Sequence, residues 1–262
     1  MATQLLFYDS AVPVSSQRHL GLSVKAGGDF SFARKAHSVP LTAVEIGRAA
    51  AEYAVVFAGE GEAIMPVVIL GVEAERNLFV KEGGAWDGTY VPAFVRRYPF
   101  VFSASEDGQT FTLCIDESFS GCNREGRGEQ LFDADGERTR YLDTVLDFVK
   151  EYQVQHQNTR AFCKHLQDLG LLEPMQAQLK LPGGEQRNLS GFMAVNRARL
   201  KALGRESLAD LAMSDELELI HLHLHSLQHF NRMLERIGAA SASAPGDEPA
   251  PNAAGDPAQV TH

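Results

Sequence analysis

The sequence contains few of the residues that disulfide-bonded, membrane-spanning or nucleic-acid-binding proteins need. Only three cysteines occur among 262 residues, Cys114, Cys122 and Cys163, and their spacing shows no pairing pattern, which is typical of a reducing compartment. The longest strongly apolar uncharged stretch, 63–72, contains Pro66 and is too short to cross a bilayer. The 24 basic residues are outnumbered by 34 acidic ones, for a net charge of −10. This balance argues against nucleic-acid binding and against attraction to anionic membranes.

The N-terminus also lacks the basic segment and the long apolar segment of a secretory signal peptide. Together with the low cysteine count, this predicts a soluble protein of the cytoplasm that does not insert into membranes. Export to the cell surface by a route that needs no signal peptide is the alternative.

The last part of the chain has almost no bulky apolar side chains. Residues 239–262 consist mostly of alanine, proline, glycine and aspartate, and ordering such a segment would cost entropy without burying apolar surface. We therefore predict one folded domain over residues 1–238, followed by a disordered tail over 239–262.

The N-terminal half contains short β-branched and aromatic runs separated by glycine and proline. Thr42 and Glu45 stand at the spacing of a capping box, which predicts a helix over 42–51. The runs themselves predict strands over 53–57, 65–71, 77–80 and 110–115 and an extended segment over 90–102. Because the connections are too short for parallel crossovers, we expect mainly antiparallel sheet.

The C-terminal half shows helical periodicity instead. Apolar residues recur every three or four positions, which predicts helices over 139–155, 159–169, 197–203 and 214–237 and a hairpin of strands 177–181 and 189–195. Gly170 suits the left-handed position that often ends a helix. The predicted fold class is α+β, with mainly antiparallel sheet in the N-terminal half and a helix-rich C-terminal half.

The predicted 214–237 helix carries an apolar stripe along its length. Such a stripe packs either on the core or on a partner. The pattern is therefore consistent with an oligomer formed through this helix. The members of the stripe are Leu217, Ile220, Leu224, Leu227 and Leu234.

Four histidines crowd the same helix. On a helix, His221, His225 and His229 would share one side, and His223 would point nearly opposite. Two histidines at i, i+4 can chelate a divalent ion, and Glu218 could supply a third ligand. This set is the basis of an alternative function, a metal-dependent enzyme of the oxygenase or hydrolase type. The other interpretation is a half-exposed flank of the packing stripe, because no His-Glu-x-x-His motif is present.

The densest aromatic and basic run spans residues 86–100. Its recognition-type side chains are Trp86, Tyr90, Arg96, Arg97 and Tyr98. An arginine beside aromatic rings can bind a carboxylate or phosphate or stack on a ring. In extended backbone two adjacent arginines point to opposite faces, so at most one would face a given site. The alternatives are an ion pair with the acidic surface or with Asp116 and Glu117, and packing of the aromatic residues in the core.

Motifs for nucleophilic or cofactor chemistry are missing from the sequence. There is no Gly-x-Ser-x-Gly, phosphate-loop or dinucleotide-binding pattern. Cys163 precedes His165 by two residues, a spacing that does not place both on one helix face, and the thiols are expected to be buried. We assign no catalytic residue and predict no cofactor.

Several longer motifs stand in a fixed order along the chain. The most specific is the run from Trp86 to Phe100, which contains Tyr-Val-Pro-Ala-Phe-Val-Arg-Arg-Tyr-Pro-Phe; the others are 37–45, 66–71, 77–80, 131–137, 159–162, 170–174 and 226–228. Together these motifs resemble the bacterial SapC family, which is named for a component of a surface-layer system. The resemblance covers about residues 37–235.

The resemblance implies an accessory role in surface-layer biogenesis or in envelope transport and peptide uptake. We therefore expect a non-catalytic binding protein whose partner is a protein or a small anionic or aromatic ligand. The expected ligand-binding residues are Trp86, Tyr90, Arg96, Arg97 and Tyr98.

Overall fold

The computed structural model describes residues 6–105, 109–180 and 186–242 of the chain. The predicted α+β class is confirmed: antiparallel sheets occupy mainly the N-terminal half, and the long helices lie in the C-terminal half. Of the predicted tail, residues 239–242 continue the last helix, and the rest lies outside the described residues.

The described residues form eleven strands in three antiparallel sheets. The strands are β1 (Ala11–Pro13), β2 (Ser23–Val24), β3 (Ser38–Pro40), β4 (Ala54–Ala58), β5 (Met65–Ile69), β6 (Phe100–Ala104), β7 (Phe111–Asp116), β8 (Cys122–Asn123), β9 (Glu129–Gln130), β10 (Leu172–Lys180) and β11 (Gln186–Val195). The central sheet has the order β10-β11-β4-β5-β3, and two smaller sheets have the orders β1-β7-β6 and β8-β2-β9.

Eight α-helices complete the described part of the chain. They are α1 (Ser16–His19), α2 (Ile46–Ala49), α3 (Ala93–Arg96), α4 (Arg140–Asp168), α5 (Arg197–Lys201), α6 (Arg205–Met213), α7 (Glu216–Ser226) and α8 (His229–Ala242). A 3-10 turn over Ala43–Glu45 leads into α2, so the helix predicted from the capping box is confirmed.

The central sheet is buried on both faces. Val55 and Phe57 of β4 point into the main core, which α2, α4 and α7 cover, whereas Ala54 and Val56 point to the other face. That second face is covered by α8 through residues that include Phe230. Because successive side chains of a strand alternate between faces, double coverage explains why β4 is a continuous apolar run.

Helix α8 is also attached to the loop that precedes α3. The guanidinium of Arg236 lies 4.2 Å over the ring of Phe79, and its Nη1 donates to Oδ2 of Asp87 at 2.6 Å. The C-terminal helix is therefore held to the N-terminal half by a contact that no local sequence pattern indicates.

Two predictions for the N-terminal half are wrong. Residues 77–80 do not form a strand: Val80 makes a single isolated bridge to Trp86. The segment 90–102 is not extended throughout, because α3 forms one helical turn within it before β6 begins. The turn starts at Ala93 because the carboxylate of Glu45 accepts the Ala93 N–H at 2.6 Å, a contact across 48 residues.

Three predictions for the helical half need correction. The helices expected at 139–155 and 159–169 form the single helix α4, since no glycine or proline separates them. The helix expected at 214–237 is two helices, α7 and α8, with a break at residues 227–228. Helix α6 was not predicted.

The hairpin β10–β11 and the left-handed Gly170 (φ 63°) are confirmed, although the hairpin's turn lies outside the described residues.

Candidate functional site

The buried carboxylate of Glu45 organises the run that begins at Trp86. It accepts hydrogen bonds from the Thr42 backbone N–H (2.9 Å) and the Thr42 hydroxyl (2.7 Å). It also accepts from the Tyr90 hydroxyl and the Ala93 N–H, each at 2.6 Å. Glu45 is only 5% exposed, so these four donors replace the water that a carboxylate otherwise needs. The capping box thus links α2 to the start of α3.

Trp86 and Tyr90 are joined through Tyr53. The indole N–H of Trp86 donates to the Tyr53 hydroxyl at 2.9 Å, and that hydroxyl donates to the backbone carbonyl of Tyr90. The indole ring is half-buried and stacks on Phe79, with ring centroids 6.2 Å apart. The polar edge of Trp86 is therefore already used inside the protein, and only part of its ring reaches the surface.

Arg96 is the exposed member of the arginine pair. Its Nε donates to the Val91 carbonyl at 3.0 Å, and its guanidinium carbon lies 5.9 Å from the Tyr90 ring centroid and 5.2 Å from that of Phe148. Both rings are half-buried. We call Tyr90, Arg96 and Phe148 the arginine–aromatic surface.

Arg97 lies inside the protein, because α3 is helical and turns adjacent side chains by about 100°. It is 3% exposed, and its guanidinium carbon lies 4.4 Å from the ring centroid of Phe94 and 4.7 Å from that of Tyr152. Burial raises the pKa of Tyr152 to about 12, while the charge of Arg97 acts in the opposite direction. The phenol is therefore neutral, and Arg97 packs between aromatic faces.

Tyr98 is buried as well and belongs to a second polar centre. Its hydroxyl donates to Oδ2 of Asp116 at 3.3 Å. The fully buried Asp116 also accepts the Asp9 N–H (2.8 Å) and both the N–H (3.0 Å) and hydroxyl (2.7 Å) of Ser118. Burial raises the pKa of Asp116, but the hydrogen bonds from Ser118 and Asp9 outweigh it and lower the pKa overall. This carboxylate fastens the N-terminal segment to β7.

The five predicted ligand-binding residues thus occupy different environments. Tyr90 and Arg96 meet at the surface, and Trp86 is linked to the Tyr90 backbone through Tyr53. Arg97 and Tyr98 are buried. Sequence reasoning missed Glu45 and Asp116 as the acceptors that hold this run in place. The spacing of Thr42 and Glu45 was the one available signal, and it indicated a helix start rather than a link to Tyr90.

The four histidines of α7 and α8 do not lie together in one site. His221 and His225 are exposed and line the same cavity. His223 is fully buried, as its opposite position on the helix predicts. His229 does not join the exposed pair, because the helix breaks before it and its Nε2 donates to the Ala50 carbonyl at 2.9 Å.

His223 connects two strands of the central sheet that are paired at only one position, Met193 with Phe57. Its Nδ1 lies 2.8 Å from the Val55 carbonyl of β4, and its Nε2 accepts the Val195 N–H of β11 at 3.1 Å. A carbonyl only accepts and an amide N–H only donates, so Nδ1 carries the proton. Burial lowers the pKa of His223 to about 4, which matches this neutral form.

The three thiols are held in their unreactive form. Burial raises the pKa of Cys163 to about 12 and that of Cys122 to about 11, and it also raises the pKa of Cys114. Because the thiolate is the nucleophile, we expect at most one thiol, that of half-buried Cys122, to react with a thiol reagent at pH 8 in native protein. All three should react in urea. Rapid native labelling of Cys163, measured by peptide mass, would contradict this arrangement.

Two features are absent from the part of the chain that the structure describes. No helix there is long and apolar enough to cross a membrane. In the same residues, no three histidine, cysteine, aspartate or glutamate side chains are grouped so that they could hold a metal ion.

These features define an α+β protein in which buried carboxylates hold an aromatic and arginine-rich run beneath an exposed arginine. A protein-family model described as SapC matches residues 14–233, and the chain therefore belongs to the SapC family. The search of curated proteins found no match, and neither did the search of solved structures.

Proposed function

We propose that this SapC-family protein is a non-catalytic binding protein that assists surface-layer biogenesis or envelope transport. It recognises a protein partner through the arginine–aromatic surface, Tyr90, Arg96 and Phe148, and through the half-buried Trp86, which Tyr53 links to the Tyr90 backbone. The observation that carries the proposal is the division of the arginine pair. Arg97 is used inside the protein, whereas Arg96 is presented to solvent between two rings.

The chemistry of this surface suits recognition. Arginine and tyrosine are enriched among residues that dominate binding energy, and a guanidinium can bind a carboxylate through two parallel hydrogen bonds. The Val91 carbonyl and the two rings already hold Arg96 in one orientation. An interface group that is ordered before binding loses less entropy when the complex forms.

The buried polar groups support a structural role for the rest of the run. Glu45 and Asp116 each accept several hydrogen bonds from other protein groups, and the thiols have raised pKa values. In this proposal these residues shape the surface, and the contact with the partner is made by the exposed side chains above them.

Site-specific cross-linking tests the proposal. A photo-reactive benzoylphenylalanine in place of Phe148 should trap a partner in the living cell, and adding Arg96→Ala should reduce the adduct at least tenfold. The same probe at Val154, which is 50% exposed on α4, is the control position. Arg127→Ala, which removes another exposed arginine, is the control substitution and should leave the adduct unchanged.

The identity of the adduct decides the cellular role. Mass spectrometry should find an envelope or surface-layer protein. Equal adducts from positions 148 and 154, or an adduct that Arg96→Ala leaves intact, would refute the surface. Partners confined to unrelated cytoplasmic enzymes would refute the envelope role.

A further inference from the structure

The solvent face of α7 carries a stripe of polar side chains outside the arginine–aromatic surface. Glu218, His221, His225 and Gln228 are all exposed and follow one another at spacings of three, four and three residues. This is the period of one helix face, and it places the four residues in a row that continues just past the end of α7. The buried His223 lies on the other face, so the row is separate from the residues that hold α7 to the sheet.

A cavity of about 490 Å³ lies at the C-terminal end of this row. It is lined by Arg197 of α5 together with His221, Leu224, His225 and Gln228. The polar groups are a guanidinium, two imidazoles and an amide, all of which can donate hydrogen bonds. Among the residues that the structure describes, no carboxylate lines this cavity, so its chemistry favours an anionic group.

The donors at this end are available to a ligand. Within the described residues, Arg197 and His221 form no hydrogen bond or ion pair through their side chains. The Gln228 amide contacts Nε2 of His225 at 2.8 Å, which leaves Nδ1 of that ring to contact a bound group. The planar guanidinium of an arginine matches the geometry of a carboxylate and can bind it through two hydrogen bonds.

A second cavity of about 390 Å³ lies at the N-terminal end of the row. It is lined by Asp215, Glu218 and His221, with Ala212 and Leu217. The two cavities share His221. We call the two cavities together the groove; its lining is cationic at Arg197 and acidic at Asp215 and Glu218, and both parts include His221.

We propose that this groove binds a short zwitterionic chain, with its carboxylate at Arg197 and its ammonium group at Asp215 and Glu218. Glu218 is seven residues from His225, which lines the same cavity as Arg197, and seven residues correspond to about 10 Å along the helix axis. An extended peptide advances about 3.4 Å per residue. A tripeptide with free ends is therefore the simplest ligand whose two charges match the two ends of the groove.

The groove is distinct from the arginine–aromatic surface. Glu216, at the start of α7, contacts His165 of α4 at 2.5 Å, and Phe148 precedes His165 by 17 residues on the same helix. That separation corresponds to about 25 Å. The inference thus goes beyond the proposed function and does not depend on it.

Calorimetry with trialanine and two blocked forms tests the proposal on the unaltered protein. Trialanine should bind with measurable heat. Its C-terminal amide should bind at least tenfold more weakly than trialanine, and its N-acetyl form should bind several-fold more weakly. Arg197→Ala should weaken trialanine binding at least tenfold, and Glu218→Gln several-fold. Arg205→Ala removes an exposed arginine that lines neither cavity and should leave binding unchanged.

Several results would overturn the inference. Absence of heat with trialanine, equal binding of the amide, or full binding by Arg197→Ala would each reject it. Stoichiometric uptake of zinc that His221→Ala abolishes, without any trialanine binding, would make the groove a metal site instead. Arg96→Ala should leave trialanine binding intact, so failure of the proposed function and failure of this inference are distinguishable.

Discussion

His223→Ala is expected to lower the free energy of unfolding by about 4 kcal/mol. The substitution leaves the Val55 carbonyl and the Val195 N–H without their imidazole partner inside the protein, and each buried group that loses its hydrogen bond costs about 1–3 kcal/mol. The ring also fills space against Phe57, with centroids 4.9 Å apart, so its removal creates a cavity that adds to the loss.

The reason for so large an effect is the way β11 joins the sheet. Elsewhere in the central sheet, neighbouring strands pair over three or more positions, but β4 and β11 pair at one. The imidazole replaces ladder hydrogen bonds where the two strands diverge, and Ser226 adds a bond by accepting the Val55 N–H at 3.0 Å. Removing His223 therefore loosens the β10–β11 hairpin as well as α7.

The same imidazole should make stability depend on pH. Burial lowers its folded pKa to about 4, whereas an unfolded histidine titrates near 6.5. Between these values the unfolded chain binds more protons, so the free energy of unfolding should fall by about 3 kcal/mol as pH drops from 7 to 4. Burial also lowers the pKa of His156 and His229, which adds a decrease of the same sign.

Urea unfolding followed by the fluorescence of the single tryptophan, Trp86, measures both effects. His223→Gln keeps a polar side chain that does not titrate, so the pH dependence should decrease although part of the stability is retained. His221→Ala, on the exposed face of the same helix, is the matched control and should change the unfolding free energy by less than about 0.5 kcal/mol. A His223→Ala protein as stable as the control would refute the bridging role.

Glu45→Ala is the second substitution expected to have a large effect, again about 4 kcal/mol. It leaves buried donors from Thr42, Tyr90 and Ala93 without their common acceptor. Hydrogen bonds to a charged group contribute about 1.5–3 kcal/mol each, although losses in one network are not additive. Glu45→Gln should also be destabilising, because its amide NH₂ places a donor where the protein already presents donors.

The control for Glu45 is Glu62, whose side chain is 92% exposed and pairs with Arg160 at 3.3 Å. Exposed ion pairs contribute about 0–1 kcal/mol, so Glu62→Ala should be nearly neutral in the same urea experiment. Glu45→Gln should also weaken the Phe148 cross-link, because an amide NH₂ replaces one of the two carboxylate oxygens that accept from Thr42, Tyr90 and Ala93 beneath the arginine–aromatic surface. Unfolding of Glu45→Gln within about 0.5 kcal/mol of the unaltered protein would contradict this account.

Local sequence patterns correctly predicted the elements whose formation depends on residues close together in the chain. The continuous apolar run of β4, the alternation of β7, the capping box at Thr42 and the left-handed Gly170 all gave the correct element, with boundaries shifted by a few residues. Short connections between strands correctly predicted antiparallel pairing. The SapC family was also recognised from the sequence motifs alone, and the match of the family model confirms the family.

By itself the sequence determined the α+β class, the family and the side of α7 that carries His223, because periodicity and residue type are local properties. Tertiary structure alone decided that α3 forms a helical turn, that Arg96 is exposed while Arg97 is buried, and that His223 bridges two strands. Each of these depends on partners far away in the chain, such as Glu45 for Ala93 and Val55 for His223, which are 48 and 168 residues apart. A buried polar group must find a hydrogen-bond partner, but which distant backbone group meets it is decided only when the chain packs.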